Sequence, residues 1–190
     1  MRQDRKPPPP LDAAKLERLA LRYVERYATT RGKLRDYLKR KIRERGWADD
    51  TPADVVALAD RMAELGYVDD RGFAEARVGA MGRRGLGARR IAGELRAAGI
   101  ESEDSEAVQP AIVDQAEASA IAFARRRRIG PFARDTGDDA PPDRAKAAKA
   151  NDKALSAMLR AGHSFDRARR ILAMTADDVE RYEAESYNPG

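Results

Sequence analysis

The sequence predicts an all-α fold, arranged as an elongated tandem array of three three-helix repeats. Three observations carry this reading. Apolar residues recur at helical spacing and almost nowhere alternate at period two. A glycine-ended helix recurs, with Leu38, Ile42 and Gly46 at steps of four, then Ile91, Leu95 and Gly99, then Ala154, Met158 and Gly162. Charge repeats in step with it, because each unit has a basic middle helix and an acidic last helix.

The glycines Gly46, Gly99 and Gly162 stand 53 and 63 residues apart. Repetition at such a period is the mark of stacked helical units, each packing on its neighbour. The longer second interval matches a polar, acidic loop from Pro131 to Pro142. Nine residues past each glycine stands an apolar residue, Val55, Val108 or Ile171.

Residues 1–10 form a disordered, basic, proline-rich arm; its tract Pro7–Pro10 favours extended chain. The first repeat takes residues 11–66. Leu16, Leu19, Tyr23 and Tyr27 line one face of its first helix. Thr29 or Thr30 caps the second, whose inner row is Leu34, Leu38 and Ile42. Thr51-Pro52-Ala53-Asp54 opens the third, with a hydroxyl cap, a proline in the first turn and an acid at the third position. Val55, Leu58, Met62 and Leu65 point inward up to Gly66.

The second repeat takes residues 67–113. Asp69 or Asp70 caps a helix that carries Phe73 and Val78 inward and runs to about Met81. The turn Gly85-Leu86-Gly87 leads into a helix from Ala88 to Ala97. A third helix runs from Ser102 or Ser105 to Val113. The third repeat takes residues 114–182, with an irregular insertion at 129–142. Its helices begin near Gln115, resume from Asp143 to Arg160 and continue from Ser164 to Met174. Thr175 caps a last short helix, and residues 183–190 fray. Leu38, Ile42, Val55, Met62, Phe73, Ile91, Leu95, Val108, Met158 and Ile171 are the predicted core.

The chain has 190 residues, 36% of them charged, with a net charge of +5 and no cysteine. A disulfide framework and thiolate chemistry are therefore absent. No apolar run approaches a membrane span, and the N-terminus lacks the apolar stretch of a signal peptide. The distribution of charge says more than its sum. Lys33–Arg45 carries seven basic and two acidic residues, whereas Asp49–Asp70 carries one basic and seven acidic. Gly82–Arg96 has five basic and one acidic, and Glu101–Glu117 has six acidic and none basic. Arg144–Arg160 is five against one, and Ser164–Glu185 four against six. Attraction between neighbouring helices explains some alternation. It does not require the sign to be kept through all three units, which favours a functional basic stripe.

Equipment for catalysis is sparse. The single histidine, His163, follows a helix-stop glycine and reads as a surface residue at a helix junction. It has no second histidine or cysteine with which to form a zinc site or a nucleophile triad. Asp69-Asp70 reads as a cap plus a charge that suits a helix N-terminus, not as an acid–base pair. Gly85-Leu86-Gly87 is too short for a phosphate loop and lacks the Lys-Ser or Lys-Thr that would follow it. The chain therefore reads as a non-enzyme without cofactor or metal. The candidate partner-binding residues are Arg83, Arg84, Arg89 and Arg90 around the central turn, Lys33, Arg40 and Arg43 on the first basic helix, and the run Arg125, Arg126, Arg127 and Arg128. Arg89 and Arg96 lie opposite the apolar row Ile91 and Leu95.

Gly66-Tyr67-Val68-Asp69-Asp70, Phe73-Ala74, Gly85-Leu86-Gly87, Ile91, Glu94-Leu95 and Gly99-Ile100 together resemble the central signature of the RecX regulatory proteins. Ala20-Leu21, Leu34, Leu38, Lys41 and Gly46 resemble that family's opening repeat. Leu159–Phe165 and Arg169–Leu172 resemble its last. The resemblance spans roughly Leu16 to Met174, and the acidic Pro131–Pro142 stretch departs from the compact family pattern. It implies a bacterial cytoplasmic protein of tandem three-helix repeats, monomeric, that binds the RecA–single-stranded DNA filament. It also implies restraint of filament growth and of the recombinase's ATPase, strand-exchange and co-protease activities, and so of DNA repair and the SOS response. A weak direct contact with DNA fits the same surface. The alternative reading is a basic helical-repeat protein that binds single-stranded or duplex nucleic acid directly through phosphate contacts.

Overall fold

The computed structural model describes residues 9–133 and 144–187. Among these, regular structure is helical, apart from one isolated bridge between Leu11 and Trp47. The chain divides into two compact units. One comprises Met1–Glu75 with Leu95–Ala107, the other Ala76–Glu94 with Val108–Gly190.

In the first unit, α1 spans Ala13–Arg26 and α2 spans Arg31–Arg45. Asp12 caps α1 by accepting from the Lys15 N–H, and Thr30 caps α2 by accepting from that of Lys33. Thr29, the other candidate cap, is buried and its hydroxyl has no hydrogen-bond partner among the described residues. α3 spans Val55–Glu64, and here the expected start shifts. Asp54, not Thr51, is the cap, because one carboxylate oxygen takes the N–H groups of both Val56 and Ala57. The Thr51 carbonyl is instead occupied by the Trp47 indole N–H at 2.8 Å. Leu16, Ala20, Leu34, Leu38, Val55, Ala59 and Met62 pack into one core with Leu11 and Val68. Leu11 is drawn in by exchanging hydrogen bonds with Gly46 and Ala48. Of the predicted disordered arm, Pro9 and Pro10 are held, since their carbonyls accept from Arg45 and Lys15. Residues 1–8 lie outside the described residues.

α4 spans Asp70–Arg83 and α5 spans Ala88–Ala97. The boundary between the two compact units falls inside both helices. The single helix expected up to Val113 is two short ones, α6 at Ser102–Ala107 and α7 at Gln109–Asp114. Pro110 is the cause: it has no N–H for the preceding turn, and it stands in the first turn of α7, where none is needed.

In the second unit, α8 spans Ala116–Arg127 and a 3-10 turn follows at Gly130–Phe132. That turn is the ordered beginning of the insertion expected at 129–142; residues 134–143 lie outside the described residues. α9 spans Arg144–Arg160, α10 Phe165–Ala173 and α11 Ala176–Tyr187. The fray expected from residue 183 is not found up to Tyr187. α11 starts from a reciprocal cap, in which the side chains of Thr175 and Asp178 each bond the other's backbone N–H. Ala120, Ile121, Phe123, Met158, Ala168, Ile171 and Val179 form this unit's core. Of the ten predicted core residues, Ile42 and Phe73 are only partly buried and the others are buried.

Each unit contains a close junction between two helices far apart in sequence. In the first unit the start of α2 meets the end of α5. The Thr30 hydroxyl donates to the Ala98 carbonyl, and Gly32 lies so near Gly99 that a Cβ on it would come within 2.6 Å of the Gly99 Cα. In the second unit the start of α5 meets the end of α9. Gly87 donates its N–H to Ala161 and Arg89 to Gly162, at 2.9 and 3.1 Å. The terminating glycines Gly99 and Gly162 have φ of +69° and +97°, a conformation that costs other residues energy. The helix ends at Gly99 and Gly162 are thus also docking ends, each received at the start of an earlier middle helix.

Candidate partner-binding surface

The central turn joins α4 to α5 and lies wholly within the second unit. Its backbone is fixed from beneath. The Gly85 carbonyl accepts from the His163 ring Nε2 at 3.1 Å, and the Leu86 carbonyl accepts from the Ser119 hydroxyl at 2.8 Å. A Cβ on Gly85 would fall 2.7 Å from the Phe123 backbone nitrogen, so the turn rests directly on α8. Such a turn presents its flanking side chains outward on an immobile base.

Those side chains are the arginines singled out by sequence. Arg83, Arg84, Arg89 and Arg90 are all exposed. Arg90 pairs with Glu94 one turn on, at 3.4 Å. Arg83, Arg84 and Arg89 have no ion-pair partner among the described residues. Their charge is therefore not spent on the fold.

The run Arg125–Arg128 ends α8 and is exposed throughout. Its members do different things. Arg125 pairs with Glu183 at 2.8 Å and covers the Phe132 ring. Arg127 lies over Phe123, and Arg128 closes the helix in a left-handed conformation with φ of 54°. Arg126 reaches back to the central turn, where its Nη2 would stand 3.0 Å from a Cβ on Gly85. Two basic segments about 40 residues apart in sequence are thus neighbours in space through Arg126.

Lys33, Arg40 and Arg43 are exposed on α2, in the first unit. Lys33 lies over the Phe73 ring at 4.6 Å, and Arg40 pairs loosely with Glu44 at 3.7 Å. Arg43 has no ion-pair partner among the described residues.

Three positions differ from the reading of the sequence or were missed by it. His163 is not at the surface: it is 2% exposed, its ring donates to Gly85, and it meets Phe123 edge-on at 5.6 Å. Burial pushes its pKa below the usual histidine range, against the weaker opposing effect of its bond to Gly85, so the ring is neutral. The adjacent acids divide their roles. Asp69 caps α4 through the Gly72 N–H, whereas Asp70 is buried and turns to Arg31. Arg31, invisible among its basic neighbours, is the hub of the first unit's junction. It bonds Asp70 and Asp104, with Glu101 and Asp60 further out at 3.7 and 3.9 Å. The only signal for it in sequence is its place directly after the Thr30 cap.

No group of three or more His, Cys, Asp or Glu among the described residues can hold a metal ion. No described helix is long and apolar enough to cross a membrane.

Known proteins resemble this chain along most of its length. The family model described as "RecX, second three-helix domain" matches residues 69–108, from the α4 cap to the break between α6 and α7. The chain is 32% identical to the regulatory protein RecX of Agrobacterium fabrum over 165 residues, covering 85% of this chain and 83% of the relative. It is 30% identical to that of Myxococcus xanthus, covering 83% of each. The crystal structure of RecX from Lactobacillus salivarius superposes with a TM-score of 0.60 at 18% identity, over 84% of this chain and 93% of that one. At that identity the superposition speaks for the fold alone.

Proposed function

The chain belongs to the RecX family of regulatory proteins, and we propose that it binds the RecA filament on single-stranded DNA and restrains the recombinase's ATPase, strand-exchange and co-protease activities. On this reading it acts as a cytoplasmic monomer, without catalysis of its own, in the control of DNA repair and the SOS response. The observation that carries the proposal is the central turn. Arg83, Arg84 and Arg89 are exposed and free of ion pairs among the described residues, on a backbone clamped by His163, Ser119 and Phe123. A guanidinium engages carboxylate or phosphate in the same two-pronged way. A recombinase coating DNA offers both. Binding through a rigid turn also loses little conformational entropy on association.

Capture by recombinase tests this reading. The protein should be retained by recombinase assembled with nucleotide on single-stranded DNA, and much less by recombinase lacking either. Retention by naked single-stranded DNA as strong as by the filament would favour direct nucleic-acid binding as the main activity instead.

A further inference from the structure

We propose that the first compact unit carries a separate site that stacks the unpaired bases of a single-stranded nucleic acid, formed by Tyr23 on α1, Tyr27 just past the end of α1 and Tyr37 on α2. Tyr23 and Tyr37 lie face to face, with centroids 4.2 Å apart and planes 17° from parallel. Tyr27 continues the set at 5.2 Å from Tyr23, tilted by 50°. Together with Arg22, Arg26 and Arg40 these rings line a groove of about 400 Å³. The Arg26 guanidinium stands 5.5 Å from the Tyr27 centroid, and that of Arg40 stands 5.6 Å from the Tyr37 centroid.

Composition and charge identify the occupant. Among the described residues, no carboxylate lines the groove. Arg22 and Arg26 are exposed and have no ion-pair partner among the described residues. Tyr27 is 49% exposed, although its backbone alone ends α1 by donating to the Tyr23 carbonyl. One part of its ring meets Tyr23, and the rest is open to water beside the Arg26 cation. Aromatic faces with interleaved arginines bind single strands: bases stack on the rings while phosphates meet the guanidinium groups. An apolar peptide would gain nothing from three arginines. A duplex keeps its base faces stacked inside. An acidic peptide would satisfy the arginines but leave the open part of the Tyr27 ring without a partner. On the sequence, Arg22-Tyr23 and Arg26-Tyr27 repeat at a step of four, which puts the two arginines one turn apart on α1, with Tyr27 following where the helix ends.

The test compares two labelled strands of equal length by fluorescence anisotropy on the full chain. One is oligothymidine; the other carries the same phosphates with abasic sugars. The comparison removes any contribution from arginines elsewhere, which bind both. Wild type should bind oligothymidine about 5- to 100-fold more tightly than the abasic strand. Tyr27→Ala should reduce that ratio toward one, Tyr27→Phe should keep it, and Arg26→Gln should weaken both strands. Circular dichroism of each variant confirms that it is folded. Equal wild-type affinity for the two strands would overturn the proposal, as would a ratio unchanged in folded Tyr27→Ala. None of these outcomes depends on whether the protein binds a recombinase filament.

Discussion

Asp70 accepts two hydrogen bonds from Arg31, one from its backbone N–H at 2.9 Å and one from its Nε–H at 3.0 Å. The first satisfies a donor that the opening turn of α2 leaves free; the second neutralises a guanidinium only 25% exposed. Asp70 also stands in the first turn of α4, so one carboxylate serves the starts of two helices.

The neighbouring acids should therefore respond differently to truncation. Asp70→Ala removes two bonds to Arg31, whose guanidinium keeps Asp104, and should lower stability by about 1–3 kcal/mol. Asp69→Ala removes a cap and should cost about 0.5–2 kcal/mol. Urea denaturation measures both. Folded protein of either variant should still inhibit recombinase; a loss of inhibition at unchanged stability would put the acids at the interface.

Two glycines near the central turn make an opposite pair. A Cβ on Gly87 would overlap the backbone of Gly162 and His163, whereas one on Gly93, inside α5, meets nothing within 4 Å. Gly87→Ala should lower stability by at least about 1–3 kcal/mol. Gly93→Ala should raise it by about 0.5–1 kcal/mol, since alanine favours a helix interior over glycine. Thermal melts of the two variants should move in opposite directions.

His163 predicts a pH dependence. Its pKa is lowered in the folded protein by burial, so below the ordinary histidine value the unfolded chain takes up the proton more readily. Stability should be full above about pH 6.5 and fall as pH drops below it, by at most about 1.4 kcal/mol per pH unit. The change should begin near pH 6.5, above the range in which most carboxylates titrate. In His163→Phe, that slope should vanish from denaturation curves recorded across the window.

Much of this was legible in the sequence because it follows local rules. Helix faces such as Leu34 and Leu38, or Ile91 and Leu95, declare themselves by spacing. Stops at Gly46, Gly99 and Gly162 declare themselves by residue type. What the sequence concealed depends on which distant segments meet. Nothing local distinguishes a glycine that merely ends a helix from Gly162, which also receives Arg89. Nothing local buries His163, because the wall around it comes from Gly85 and Phe123. Arg31 resembles the exposed arginines near it, and only Asp70 and Asp104 from later in the chain separate it from them. The exposed arginines were legible for the complementary reason: their positions opposite apolar rows leave no other place for them than the surface.

The most direct test of the account is inhibition of the recombinase ATPase by a variant with Arg83, Arg84, Arg89 and Arg90 all changed to glutamate. These side chains are exposed, so the helical circular-dichroism signal should be retained. Inhibition should be abolished, and inhibition by wild type should weaken as salt is raised, because exposed charges are screened beyond about 8–10 Å near physiological ionic strength. A folded variant that inhibits at wild-type concentrations would contradict the account and move the interface to Lys33, Arg40 and Arg43 or to Arg125–Arg128.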